Sequence, residues 1–567
     1  MTLRKIVVAV VAAAVIALAG CATIPRSGPV QVGENVRGQD SGFGPVDYLP
    51  SGPLKGATQK EILRGFIDAA VSPQNGYAVA QEFLTPKFAT TWNPDASVTV
   101  DTSTDRTQTT IDETHVMLSV TPVAFVDADG NYRRSESSTP LKQPYTFQKV
   151  KDQWRISKAP NGVVIDSPRF TDVFSAHALY FFSPDFNYLV PDERWFPTRP
   201  TSIQTRVVKA LLAGPAKWLT GAVVSAFPQG SALTADSVPV SSGNAQVPLN
   251  NAASGAPGLT LQRMKLQLTQ SLTDVTSVTG VTITIGGVER SIAALAGSGP
   301  IQDPPVDPNP LVIKDGKFGL LSGNSVTSVS DISDKVLSLA PSAVTLSADR
   351  QTAAVLAAHG VYDVRASVDA PKLVDARPGV IAPSLDNDGF VWSVPAASPK
   401  AIQVAGADGA PASITAAWPD ATSIQSIAVS RDGTRIAALV QADGQAHVMA
   451  AGIIRSSSGA PDRLGEPVDF GVVQGTDVRS LTWLDELSVA ALATDAQGET
   501  AIETQVLGGE LSHGTGPESG RVLDGGSGAA PLYWVLTSDQ SLQAPRGTGW
   551  QQKAEAVTLL GTQLGRP

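Results

Sequence analysis

Apolar side chains recur at helical spacing early in the chain. Ile62, Leu63, Phe66, Ile67 and Ala70 share one face, as a 3.6-residue period requires. Thr58-Gln59-Lys60-Glu61 stands just ahead of them as a capping box, its hydroxyl and carboxylate satisfying the free amides of the first turn. The pattern predicts a second helix carrying Tyr77, Ala80, Phe83 and Leu84 and stopping before Pro86. Alternation then replaces helical spacing, which predicts strands at 97–100, 115–126, 145–150 and 153–157. Asp127-Ala128-Asp129-Gly130-Asn131 falls between apolar segments as a hairpin turn. Helices followed by antiparallel strands give 54–166 an α+β plan.

A second α+β unit is expected over 170–290. Segments 178–182 and 187–190 form a hairpin around Ser183-Pro184-Asp185. A helix follows with Ile203, Val207, Val208, Leu211 and Leu212 on one face, ended by Gly214-Pro215. Strands are expected at 223–227, 232–240 and 245–249, then a helix carrying Leu261, Met264, Leu268 and Leu272, then a strand at 281–285.

Residues 297–316 are Pro-rich and read as a linker. Beyond them helical periodicity all but disappears and the chain repeats weakly. VTLSADRQTAAVL (344–356) and IAVSRDGTRIAAL (427–439) share strand, Asp-centred turn and strand. LTWLDELSVAAL (481–492) is a degenerate copy, and IAPSLDNDGFVWSV (381–394) lies between the first two. The turns at Asp349, Asp388, Asp432 and Asp485 fall about 40–50 residues apart, the period of a four-stranded propeller blade. About six blades fit within 317–567.

The amino terminus has another character. Arg4 and Lys5 precede an unbroken apolar run, 6–19, and then Leu18-Ala19-Gly20-Cys21. This is an export signal, too short for the ~20 residues of a spanning helix. Residues 1–20 are therefore read as signal peptide and 21–53, rich in Pro, Gly, Ser and Gln, as a flexible tether. Cys21 is the only cysteine, which rules out disulfides, redox pairs and thiolate-rich metal sites. Charged residues are 17% of the chain and the net charge is −10, so the basic footprint of a nucleic-acid binder is missing.

Three resemblances follow from these segments. Leu18, Ala19, Gly20 and Cys21 resemble the bacterial lipobox, which implies diacylglycerol on the Cys21 thiol and an acylated new amino terminus. VVKALLAGPAKWLTGAVVSAFPQGSAL (207–233) resembles the GerMN domain of spore-germination and sporulation proteins. The whole layout resembles the actinobacterial LpqB lipoprotein family. The expected fold class is thus multidomain, two α+β domains (cystatin/NTF2-like, then GerMN-like) followed by an all-β propeller. The family resemblance implies a membrane-anchored, extracytoplasmic accessory of the Mtr-type two-component system, contacting the sensor histidine kinase and influencing envelope homeostasis and division. An envelope-glycan or small-ligand sensor is the alternative, and a cell-wall hydrolase a more distant one.

Little in the chain points to catalysis. His115, His177, His359, His447 and His513 are each more than fifty residues from the next and make no metal motif, so no metal or cofactor is expected. Gly526-Ser527-Gly528 misses the nucleophile elbow, and Gly514-x-Gly516 lacks the dinucleotide fingerprint. Asp127–Asn131 and Asp386-Asn387-Asp388-Gly389 lack the full ligand set of an EF-hand calcium loop and read as polar turns. Trp154, Trp392 and Trp483 fall in strand patterns and are expected in cores. Trp195 and Trp218 flank the first GerMN-type helix; simple packing is the preferred reading of both, and exposed anchoring of a partner the alternative.

Overall fold

The computed structural model describes residues 50–565 apart from 136, 138, 199–202, 416–417, 419 and 527–531. Helix α1, Gln59–Ala70, begins as its capping box dictates. The Thr58 hydroxyl accepts from the Glu61 amide, and the Glu61 carboxylate accepts from the Thr58 amide at 2.8 Å. Its apolar face is buried against two four-stranded sheets. The expected strand 115–126 is two strands, His115–Val120 and Pro122–Asp127, one in each sheet. They divide at Pro122, which has no amide to continue a ladder. The hairpin at 127–131 pairs Val126 with Tyr132 and Ala124 with Arg134.

The second helix is shorter than the apolar spacing predicts. Asn75 and Tyr77 take positive φ, so only Ala78–Gln81 is helical. Pro86 opens a separate turn, Pro86–Ala89, capped by the Thr85 hydroxyl. Proline suits that first position because its missing N–H would have had no partner there.

In the second domain the hairpin is longer than expected, Phe174–Phe182 against Leu189–Pro197. Helices α2 (Ile203–Ala213) and α3 (Gly258–Ser271) form as predicted, and Gly214 takes φ +104 where α2 ends. Asn244–Leu249 and Gly280–Ile285 pair in parallel, consistent with α3 as their crossover. The expected strands at 223–227 and 232–240 are not formed. Isolated bridges, Phe182 to Val224 and Leu233 to Leu249, and the two-residue strand Val240–Ser241 are what remain of them. Pro228 and Pro239 supply no ladder donor there.

The third domain is a run of antiparallel meanders. They begin with the strands Ala343–Leu346, Ser384–Leu385, Ser423–Val429, Asp477–Trp483 and Gly520–Gly525. The last strand, Val557–Gln563, returns to pair with Leu311–Lys314 and also meets Ala343–Leu346 in parallel. The two ends of the domain are thereby joined through one sheet. Neighbouring first strands are tied by hydroxyls. Thr345 donates to the Pro383 carbonyl at 2.8 Å, Ser384 accepts from the Val429 amide at 3.0 Å and Ser426 from Leu481 at 3.2 Å. Thr482 accepts from the Gly525 amide at 2.9 Å, and Thr562 on the returning strand bonds Asp524. Each link satisfies a polar group that would otherwise be buried unpaired.

Truncation after Ala556 removes the returning strand and the buried Val557, Leu559, Leu560 and Leu564. The expected outcome is a third domain that melts early, by more than about 10 °C, and is cleaved by protease at its meander turns. Calorimetry of full-length and truncated chains checks this.

Candidate functional site at the capped face of the third domain

In an up-and-down meander the first and third turns lie on one face and the middle turns on the other. The Asp turns of the sequence repeat are all first turns, so they share a face. That face is covered by the second domain and by residues 301–310. The Tyr180 hydroxyl donates to Glu486 at 2.8 Å, and the Gln302 amide donates to the Tyr180 hydroxyl at 2.7 Å. Asp307 pairs with Arg350 at 2.5 Å, and Asp303 lies 3.9 Å from Arg431. Trp195 donates its indole N–H to the Gly508 carbonyl at 2.9 Å. Trp218 stands edge-on to Phe470, with centroids 5.8 Å apart. Gly452 permits that approach, since a Cβ there would lie 2.8 Å from the Trp218 carbonyl. One continuous apolar cluster runs from the second-domain core into Ala437, Leu439, Leu481, Val489 and Leu507.

Two expectations are decided here. Trp195 and Trp218 are each only 8% exposed, so both are anchors of contacts inside the chain instead of free anchors for a partner. The Pro-rich segment 297–316 is no slack spacer, because Val306 is buried and Asn309 accepts from Gln563 at 2.9 Å.

Beneath the cap lies a set of buried charges. Arg431 reaches the next meander at the Trp483 carbonyl (3.2 Å) and the one after it at the Gly526 carbonyl (2.9 Å). Burial pushes its guanidinium down, opposed by Asp303, Asp524 and Asp485. Asp524 is pushed up to about 7 by burial, against the pull of Thr562, Arg431, Gly525 and Thr482. Asp432 is buried, which alone would raise it, yet Arg435 and Thr434 hold it below the usual carboxylate range. Asp386 accepts from the Asp388 and Phe390 amides, the Trp392 indole and Arg455. In that turn Asp386, not Asp388, is the residue that folds back on the backbone. Burial raises Tyr188, and Asp185, Asp432 and Asp388 raise it further, which sets the tip of the second-domain hairpin beside two Asp turns. Apart from Asp303, the groups that match Arg431, Asp524, Asp432 and Asp386 belong to the third domain itself, so these charges tie its meanders together beneath the cap.

The remaining predicted residues stay apart. Leu18, Ala19, Gly20 and Cys21 lie outside the described residues, as do Ser527 and Gly528. His115 pairs with Asp112, His447 with Asp469 and His513 with Glu503, while His359 is exposed in a turn. No group of three His, Cys, Asp or Glu able to hold a metal occurs among the described residues. Trp392 and Trp483 are buried, and Trp154 is half-buried beneath Lys149. Asp127 accepts from the Asp129 and Asn131 amides, an ordinary polar turn. Gly514 lies in the strand Leu511–Thr515 and Gly516 in the loop after it. One pair escaped the sequence reading: Ser175 Oγ lies 2.9 Å from His177 Nε2. Burial pushes His177 down, but its Nδ1 has no hydrogen-bond partner among the described residues. A nucleophile–base pair with no carboxylate bonded to the base is not a triad.

These features define a multidomain, strand-rich protein whose carboxyl-terminal half is propeller-like. Comparison with known proteins agrees. Residues 52–171 match the family described as the N-terminal domain of lipoprotein LpqB, 178–291 the sporulation and spore germination family, and 316–559 the LpqB beta-propeller domain. The chain belongs to the LpqB lipoprotein family. Relatives named lipoprotein LpqB include that of Streptomyces coelicolor, 27% identical over 97% of each chain, and that of Cutibacterium acnes, 30% identical over 52% of this chain. The match spans 49% of the Cutibacterium protein and 45% of the Thermobifida fusca one. Among solved structures, a putative TolB from Agrobacterium tumefaciens has a TM-score of 0.26 at 15% identity, covering 33% of this chain and 65% of that one, too slight a likeness to argue from.

Two outcomes follow. Trp218→Ala leaves a cavity against Phe470 and Gly452 and is expected to cost ~3–5 kcal/mol, read by denaturant unfolding. Asp524 has a folded pKa near 7 against an unfolded value near 3.8. The folded state therefore holds the extra proton, and its contribution to stability falls as pH rises from about 4 to about 7. Asp524→Asn removes that slope, so the Tm of the variant minus that of the parent increases from pH 5 to pH 8.

Proposed function

We propose that this chain is a non-enzymatic lipoprotein on the outer face of the cell membrane, held by lipid on Cys21, and an accessory of a membrane sensor histidine kinase of the Mtr type. Family membership together with the single cysteine at a lipobox carries this reading. No helix among the described residues is long and apolar enough to cross a membrane, which is consistent with a lipid as the anchor. Confinement to the plane of the kinase raises the effective concentration of each for the other.

The third domain is read as a six-bladed propeller, with Val557–Gln563 as inner strand of the blade that Leu311–Lys314 continues. The first domain is read as the cystatin/NTF2-like unit, with α1 against its sheets. With the Asp-turn face covered, the opposite face is the one left for a partner. Its turns at 358–359, 443–444, 495–499 and 538–540 are exposed. Envelope glycan as ligand is the second reading. Arg431 crossing between meanders on the covered face disfavours entry of a glycan from that side.

The test is proximity crosslinking in purified membranes, comparing parent with Cys21→Ala. The expected result is that Cys21→Ala, unlike the parent, is stripped from the membranes by a high-salt wash that releases charge-held contacts, and that its kinase crosslinks after the wash fall at least about tenfold. Retention of the variant with the same partners overturns the anchoring. Crosslinks to glycan with none to a kinase would replace the partner.

A further inference from the structure

The edge of the first domain where the described chain begins differs in charge from the rest of a molecule of net charge −10. Gln153–Lys158 is the last strand of its sheet, and residues 83–85 run alongside it, Phe83 and Thr85 bonding to Ile156. Gly52 and Pro53 line a groove of about 650 Å³ with Leu84, Pro86, Val150 and Arg155, and the Gly56 amide donates to Gln153 at 2.7 Å. Lys55, Lys87, Lys149, Lys151 and Lys158 are exposed along this edge, and Arg155 is half-buried among them. The acids among them are Glu82 and Asp152.

None of the six cations is in an ion pair with a described acid. Arg155 donates to the Trp154 carbonyl, and Lys149 lies 5.2 Å above the Trp154 ring. Leu54, beside Lys55, is 75% exposed, the most exposed large apolar side chain among the described residues. Lysines along a strand edge also discourage strand-to-strand association, but that role calls for neither Leu54 nor the half-exposed Trp154. Cations interleaved with an aromatic ring and a free leucine are the composition of a surface that meets anionic headgroups.

We propose that this edge is a second membrane contact, lying on the anionic phospholipid headgroups of the bilayer that carries the lipid. The occupant is chosen by charge and by connectivity, because the chain that leads from Cys21 enters the fold at Gly52 and Pro53, inside the patch. The contact rests on the anchoring reading for its location and adds an orientation: with this edge down, the body is held in one attitude relative to the plane.

The test uses the full chain from residue 21 carrying Cys21→Ser, which has no thiol to acylate, so lipid anchoring plays no part in the outcome. Sedimentation with vesicles of phosphatidylglycerol and phosphatidylcholine is compared with phosphatidylcholine alone. The expected result is binding that rises with the anionic fraction, weakens with salt and falls about tenfold or more in Lys55→Glu/Lys151→Glu/Lys158→Glu. These three side chains are exposed, so thermal unfolding should not change. Equal binding to neutral vesicles, an unaffected triple variant, or absence of vesicle binding overturns the contact. Capture by soluble polyglycerol phosphate without vesicle binding does the same and reassigns the patch to a wall polymer.

Discussion

An aspartate folded back on its own turn is the constraint from which the rest follows. Asp349 accepts from the Gln351 amide, Asp386 from Asp388 and Phe390, Asp432 from Thr434, and Asp485 from Leu487 and Ser488. A carboxylate that satisfies amides in a tight turn removes the water those amides would otherwise need. The turn can then be covered. At Asp386 and Asp432 the second oxygen meets Arg455 and Arg435, so the charge too is matched before the second domain lies over it. Burial of an unmatched carboxylate on this face would cost several kcal/mol.

The cap uses both kinds of contact that such a face allows. Apolar packing comes from Trp218 on Phe470 and from the cluster shared with Leu481 and Leu507. Directional contacts come from Tyr180, Gln302 and Glu486, and from Asp307 with Arg350. The first domain joins the same assembly: Arg194 donates to the Asp129 carbonyl, Trp195 packs on Phe170 and Tyr132, and Arg134 reaches Gln505. Trp195 thus touches groups of all three domains, since its indole N–H ends on Gly508.

Local chemistry was legible from sequence; choice of neighbour was not. The capping box, α1, α2, α3 and the Asp127 hairpin follow from residues within a few positions of each other. The Asp turns were legible for the same reason, down to their spacing, although Asp386 instead of Asp388 does the capping. Failures occur where the partner is distant. Trp195 and Trp218 were left open between packing and partner anchoring, because their burial depends on Gly508 and Phe470, more than 200 positions away. The Pro-rich segment 297–316 has a linker's composition, yet Asp303, Asp307 and Asn309 are held by side chains from three other parts of the chain. The hydroxyls of Thr345, Ser384, Ser426 and Thr482 left no such signal: they fall at different places in their strands, and Ser423 and Ser480 stand beside two of them as equal candidates. Residues 18–21 are the opposite case: they resemble a motif read by chemistry at Cys21 and independent of any fold, and they lie outside the described residues.

A body locked in this way restricts how it could convey a signal. Reorienting the second domain against the third would separate Glu486 from the Tyr180 hydroxyl and open the apolar cluster that the second-domain core shares with Leu481 and Leu507. Apolar surface returned to water costs about 25 cal/mol per Å², and a carboxylate that loses its donor adds to that. Small hinge motions between these domains are therefore a poor relay. Motion of the whole body relative to the bilayer breaks none of these contacts. Under the proposed membrane contact, its attitude would be set by the surface on which the first-domain edge rests and by the chain entering at Gly52 and Pro53. Regulation of a membrane partner by such a molecule would act through where the body stands and which face it presents, while its internal geometry stays fixed.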